Sequence, residues 1–146
     1  MKRAASIVLR VALGAVFLVA ALSKVPDLRQ FAEEVANYQI LPPHVVPYAA
    51  LLFPGVELAL GLALIAGVYA RAAAVLASAM LVGFIAALSQ ALVRGINLKC
   101  GCFGGADLAT WGTVARDVVL LALAIATAWL ASSSVGWTVR SRAERG

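Results

Sequence analysis

Residues 45–93 read VVPYAALLFPGVELALGLALIAGVYARAAAVLASAMLVGFIAALSQALV, and Glu57 and Arg71 are the charged residues in that stretch. Arg71 divides it into two apolar runs, 45–70 and 72–93. Each is long enough to cross a hydrocarbon layer about 30 Å thick as a helix, which takes about 20 residues. Lipid offers no partners to open backbone groups, so a spanning segment must be a helix or part of a closed barrel. Barrel strands are much shorter, at about 10 residues with alternating polarity. The break around Gly67 to Arg71 leaves room for a tight turn and no more, so the two helices are expected to be antiparallel neighbours.

Working outward, two further apolar runs appear. Residues 4–22 contain Arg10, and residues 114–130 carry Arg116 and Asp117 near their start. The whole chain of 146 residues is 63% hydrophobic and 13% charged. A soluble domain is about half apolar and about a quarter charged, so that class is excluded. The expectation is a single all-α membrane domain over residues 1–146, a bundle of four transmembrane helices at about 4–22, 45–70, 72–93 and 114–130. A flexible tail is expected from about 138 to 146. The first run also fits the plan of a cleaved signal peptide, with Lys2 and Arg3 ahead of an apolar stretch and small residues behind it. Its apolar length favours a span, and without it three helices would be left to bury Glu57.

Orientation follows from basic residues in the short flanks. With both termini in the cytoplasm, that side holds Lys2, Arg3, Arg10, Arg71, Arg140, Arg142 and Arg145. They outnumber Lys24, Arg29, Arg94, Lys99 and Arg116 on the other side. The expected location is the cytoplasmic (inner) membrane, with the segment after residue 94 facing outward. The net charge of +5 suits anionic lipid and topology, and calls for no nucleic acid.

The loop between the first two spans contains PDLRQFAEEVANYQILPP, residues 26–43. Leu28, Phe31, Val35 and Tyr38 recur at helical spacing, so a short amphipathic helix is expected. Asp27 can cap it with Gln30 in the capping-box position, and Pro42 and Pro43 end it. It either lies at the interface or packs over the bundle. In the third span Ala79, Gly83, Ala87 and Ala91 form a stripe of small residues on one face. Such a stripe lets a neighbouring helix approach closely, within the bundle or in a homodimer.

The chain has two cysteines, Cys100 and Cys102, separated by Gly101. A bridge across one residue barely constrains the unfolded chain, so a structural staple is a weak explanation. A tight ring would be strained, and strained exposed disulfides are the labile, catalytic ones. Lys99 beside the pair, and Arg94 nearby, favour the thiolate. Cys100, nearer the lysine, is the expected nucleophile. No metal site is expected, since zinc wants four ligands and His44 is the single histidine. Two-coordinate copper on thiolates stays open.

Glu57 is the second singular residue, because an ionisable group in mid-span is costly and a functional candidate by default. Pro54, one turn earlier, frees a backbone carbonyl, and Gly61, one turn later, allows a close helix neighbour. Glu57 reads either as a proton relay or cofactor contact, or as a group tying helices together. Lys24 and Arg94 are the candidate basic partners. Gln90 and Arg94 share one face near the end of the third span. Arg116 and Asp117, adjacent in sequence, are expected to bond to different helices. His44, Tyr38 and Trp111 read as interfacial.

Three stretches carry a family resemblance: FLVAALSKVPDLRQFAEEVANYQILPP (17–43), LLFPGVELALGLALIAGVYARAAA (51–74) and ALVRGINLKCGCFGG (91–105). They resemble the MauE family of methylamine-utilisation membrane proteins, within the DoxX-like four-helix group, over about residues 5–130. The sharpest part is RGINLKCGCFG together with Lys24 and the Pro54, Glu57 and Gly61 positions. The resemblance implies a small membrane bundle engaged in thiol–disulfide chemistry beside a thioredoxin-like protein or a disulfide-containing substrate protein. It also implies a likeness to quinone-linked disulfide-forming proteins, which use two cysteine pairs where this chain has one. On that basis Glu57, Arg94, Lys24 and Gln90 are expected to line an intramembrane polar pocket for a quinone or a proton path. Two other roles stay open: a non-catalytic anchor or assembly subunit for a partner enzyme, and a carrier of a metal ion or small sulfur compound.

Overall fold

A computed structural model describes residues 1–97 and 108–143, with side chains for residues 1, 3–97 and 108–131. Five α-helices carry the fold: α1 (Lys2–Lys24), α2 (Leu28–Asn37), α3 (Val46–Ala66), α4 (Ala70–Val93) and α5 (Trp111–Ala143). No strand occurs among the described residues. Four helical segments are long and apolar enough to cross a membrane, and their cores are α1, α3, α4 and the part of α5 up to Ala131. The expected all-α four-span bundle is therefore what the chain forms. α5 continues as helix to Ala143, past the expected end of its span and into the expected tail.

The helix ends follow local chemistry. Pro26 disfavours helix at the residue before it, and a 3-10 turn over Val25–Asp27 swings the chain out of α1. Asp27 then caps α2, its Oδ1 accepting the Gln30 backbone N–H at 2.9 Å. The expected capping box is half formed. The Gln30 side chain donates to Glu34 Oε1 at 3.4 Å rather than turning back to the cap. α3 closes on Gly67 at φ +77°, whose N–H bonds to the Ala63 carbonyl at 2.9 Å. That left-handed residue is what a glycine supplies without strain.

The tightest pairings are α1 with α3 and α4 with α5. α1 and α3 cross at two glycines. A Cβ on Gly14 would stand 2.9 Å from the Gly61 carbonyl oxygen, and a Cβ on Gly61 would stand 2.9 Å from the Gly14 carbonyl oxygen. Backbone meets backbone there, the close approach that Gly61 led one to expect. Leu13, Phe17, Leu60 and Leu64 fill the space around the crossing, against Ala73, Ala74, Ala77 and Leu81 of α4 and Ala124 of α5. Hydroxyls inside the bundle bond to their own helix, as Thr127 does to the Leu123 carbonyl at 2.7 Å and Ser78 to the Ala74 carbonyl at 2.8 Å.

α3 and α4 are neighbours, as their tight turn requires, but each packs mainly on another helix. A cleft opens between them. α2 folds over it, setting Phe31 and Val35 against Val46, Ala49 and Ala50 of α3. Within the chain, most of the small-residue stripe on α4 faces the cleft. Ala79 and Gly83 are exposed, and no atom lies within 4 Å of a Cβ built on Gly83. Ala79, Gly83 and Ala87 wall the cleft, and only Ala91 is buried in packing. Within the chain, small size here leaves space.

Candidate functional site

The cleft has a volume of about 500 Å³ and a nearly apolar lining. The end of α1 supplies Lys24, α2 supplies Phe31 and Tyr38, α3 supplies Phe53, and α4 supplies Met80 and Phe84. Each helix contributes from the face its sequence periodicity turns inward. Phe31 and Val35 are one turn apart on α2, and Met80, Phe84 and Ala87 are spaced by a turn on α4.

Lys24 is the polar centre. Its Nζ lies 2.6 Å from Glu57 Oε1 and 2.7 Å from Oε2. Both side chains are buried, with Lys24 at 5% and Glu57 at 3% exposure. An unpaired charge at this depth would be strongly unfavourable, and two oxygens on one ammonium answer each charge with the other. The ammonium also lies 5.3 Å from the Phe31 ring centroid and 5.7 Å from that of Phe84, within cation–π range. Phe84 in turn packs against Phe53 with centroids 5.7 Å apart and planes tilted by 58°. Pro54 is buried one turn before Glu57 and leaves the carbonyl of Ala50 without its helical donor.

The four residues expected to form one polar pocket separate into two places. Lys24 and Glu57 pair directly, and of the two candidate partners for Glu57 it is Lys24 that meets it. Lys24 faces the cleft with Glu57 behind it. Arg94 is exposed at the end of α4 and donates to Gln39 Oε1 at 3.3 Å, and Gln90 is exposed one turn earlier. Neither lines the cleft. Arg116 and Asp117 also depart from expectation. They bond to each other, with Arg116 Nε and a terminal guanidinium nitrogen at 3.0 and 2.8 Å from Asp117 Oδ1. The arginine side chain is long enough to reach its sequence neighbour, which the rule for side-chain direction at adjacent positions does not allow for.

Lys99, Cys100 and Cys102 lie outside the described residues. Their flanks do not. Ile96 and Ala109 belong to a cluster with Leu88 and Ala91, against which Tyr38 packs. Tyr38 also lines the cleft. The chain therefore leaves α4 and rejoins α5 at the end of the bundle that α2 covers. No group of three or more metal-ligating side chains occurs among the described residues.

Sequence reasoning missed the aromatic character of the site. Phe53 stands four residues before Glu57 and shares its face, so an aromatic beside the buried acid was available as a signal. Phe31 and Phe84 come from other elements, and no local pattern links them to Lys24.

A family profile described as methylamine utilisation protein MauE matches residues 2–130. The chain is 40% identical over 123 residues to the methylamine utilization protein MauE of Paracoccus denitrificans, covering 82% of this chain and 66% of that protein. It is 37% identical over 125 residues to the protein of the same name from Paracoccus versutus, covering 84% and 67%. For that of Methylophilus methylotrophus the identity is 36% over 91 residues, covering 60% and 48%. The chain thus spans about two thirds or less of the length of these curated relatives. No solved structure matches it.

Proposed function

The chain belongs to the MauE family, and on that premise we propose that this multi-pass membrane protein is a thiol–disulfide component serving the maturation of a partner protein. The observation that carries the reading is the pair Cys100 and Cys102, one glycine apart and next to Lys99. The described residues nearest to them in sequence, Ile96 and Ala109, belong to the cluster against which Tyr38 packs.

In the proposed step the Cys100 thiolate attacks a disulfide of a thioredoxin-like or substrate protein. A mixed disulfide forms and one partner thiolate leaves. The Cys102 thiolate then attacks Cys100 sulfur, closes the Cys100–Cys102 disulfide and releases the second partner thiolate. The pair gives up two electrons and the partner disulfide takes them, with the partner thiolates taking up two protons. The reverse sequence of the same steps oxidises a partner dithiol. Lys99 favours the attacking thiolate. The pair faces outward from the inner membrane, with both termini in the cytoplasm.

Cys102→Ser tests this, because it removes the resolving thiol. The expected result is a partner held on Cys100 as a mixed disulfide, visible on non-reducing gels and lost on reduction. Cys100→Ser is expected to trap nothing. Full maturation of the partner with both cysteines replaced by serine would overturn the proposal. It would favour the second reading, a bundle that recruits its partner without redox chemistry, which is equally compatible with the family.

A further inference from the structure

We propose that the cleft between α3 and α4 binds a neutral, lipid-soluble molecule with a flat carbonyl-bearing ring, the quinone class, with Lys24 donating to one of its carbonyl oxygens. Lys24 Nζ has three N–H donors, and Glu57 supplies two oxygens, at 2.6 and 2.7 Å. The ammonium also meets the rings of Phe31 and Phe84, and among the described residues no oxygen beyond those of Glu57 bonds to it. It borders a cleft of about 500 Å³, the size of a small-molecule site. In a membrane, a donor with no oxygen to meet is costly, so the occupant that suits this cleft offers an acceptor.

The surroundings narrow the class. Glu57 already neutralises Lys24, and Glu34 adds a carboxylate to the lining, so an anionic headgroup is disfavoured. The rings of Phe31 and Phe84 lie beside Lys24, and Tyr38 and Phe53 add aromatic side chains to the cleft lining, which suits a flat ring over a saturated chain. Leu76, Ala79 and Gly83 are exposed along α4, so the cleft opens sideways within the span, leaving an exit for an apolar tail.

The test uses the full chain in phosphatidylcholine nanodiscs with decylubiquinone as the probe. Binding is followed by quinone retained after desalting and by the thermal unfolding midpoint. Saturable binding to the wild-type protein is expected, with decanol a poor competitor. Gly83→Phe fills the cleft where nothing stands within 4 Å of the new Cβ. It should weaken binding by about tenfold or more while the midpoint without quinone stays unchanged. Lys24→Met with Glu57→Leu removes donor and acceptor together, and should weaken quinone but not decanol by about tenfold. Serine at both cysteines should leave quinone affinity unchanged, which separates this site from the redox reading. No saturable binding, equal binding in both cleft variants, or decanol competing as well as quinone would overturn the proposal. The last result would make the cleft a slot for an acyl chain.

Discussion

Two glycines of this bundle occupy opposite situations. Gly61 of α3 is pressed against the α1 backbone at Gly14, with a carbonyl oxygen 2.9 Å from where its Cβ would be. Gly83 of α4 faces a space in which a Cβ would touch nothing within 4 Å. Both lie in apolar spans with small residues nearby. In one case small size closes a helix pair. In the other it keeps a cleft open beside a buried ion pair. The lesson is that a small residue in a membrane helix marks a need for room without saying whether backbone or ligand will use it.

Predictions follow from that contrast. On the closed side, the Lys24–Glu57 pair ties α1 to α3. Lys24→Met leaves Glu57 buried alone and should cost about 3–5 kcal/mol of stability. Adding Glu57→Leu should recover most of that loss, because replacing a whole buried pair by apolar groups is often neutral. Unfolding in mixed micelles of graded denaturing detergent reads both. A single variant as stable as wild type would mean the pair does not hold the closed side together.

Gly61→Leu should come next, at about 3 kcal/mol, since overpacking a contact of backbone on backbone cannot be relieved by a rotamer change. The same unfolding series measures it. Asp27→Ala removes the cap that starts α2 over the open side and should cost about 1 kcal/mol, with faster proteolysis within residues 28–41 as a second readout. The smallest effect is expected for Gly83→Leu, within about 0.5 kcal/mol of wild type. A loss at Gly83 equal to that at Gly61 would erase the distinction between the two regions.

Much of the fold was legible because membrane solvent leaves few choices. Long apolar runs with few charges placed α1, α3 and α4 within a few residues of their observed ends, and Asp27 marked the start of α2. The packing was less legible. The period of Ala79, Gly83 and Ala87 shows that they share a face, while what meets that face depends on α3 leaning on α1. Glu57 stood out because a charge in mid-span is rare. Its pairing with Lys24 rests on the antiparallel register of α1 and α3, which no single segment encodes. Arg116 and Asp117 show the opposite failure, where a rule about side-chain direction overlooked the reach of a guanidinium.

The thiol state of Cys100 and Cys102 in native membranes tests the account most directly. Intact cells or spheroplasts are labelled with a membrane-impermeant maleimide across a graded thiol redox buffer. The account predicts labelling from outside that switches on at a potential above about −300 mV, the range of labile disulfides. Cysteines that stay unreactive at every potential, or that label only from the cytoplasmic side, would contradict it.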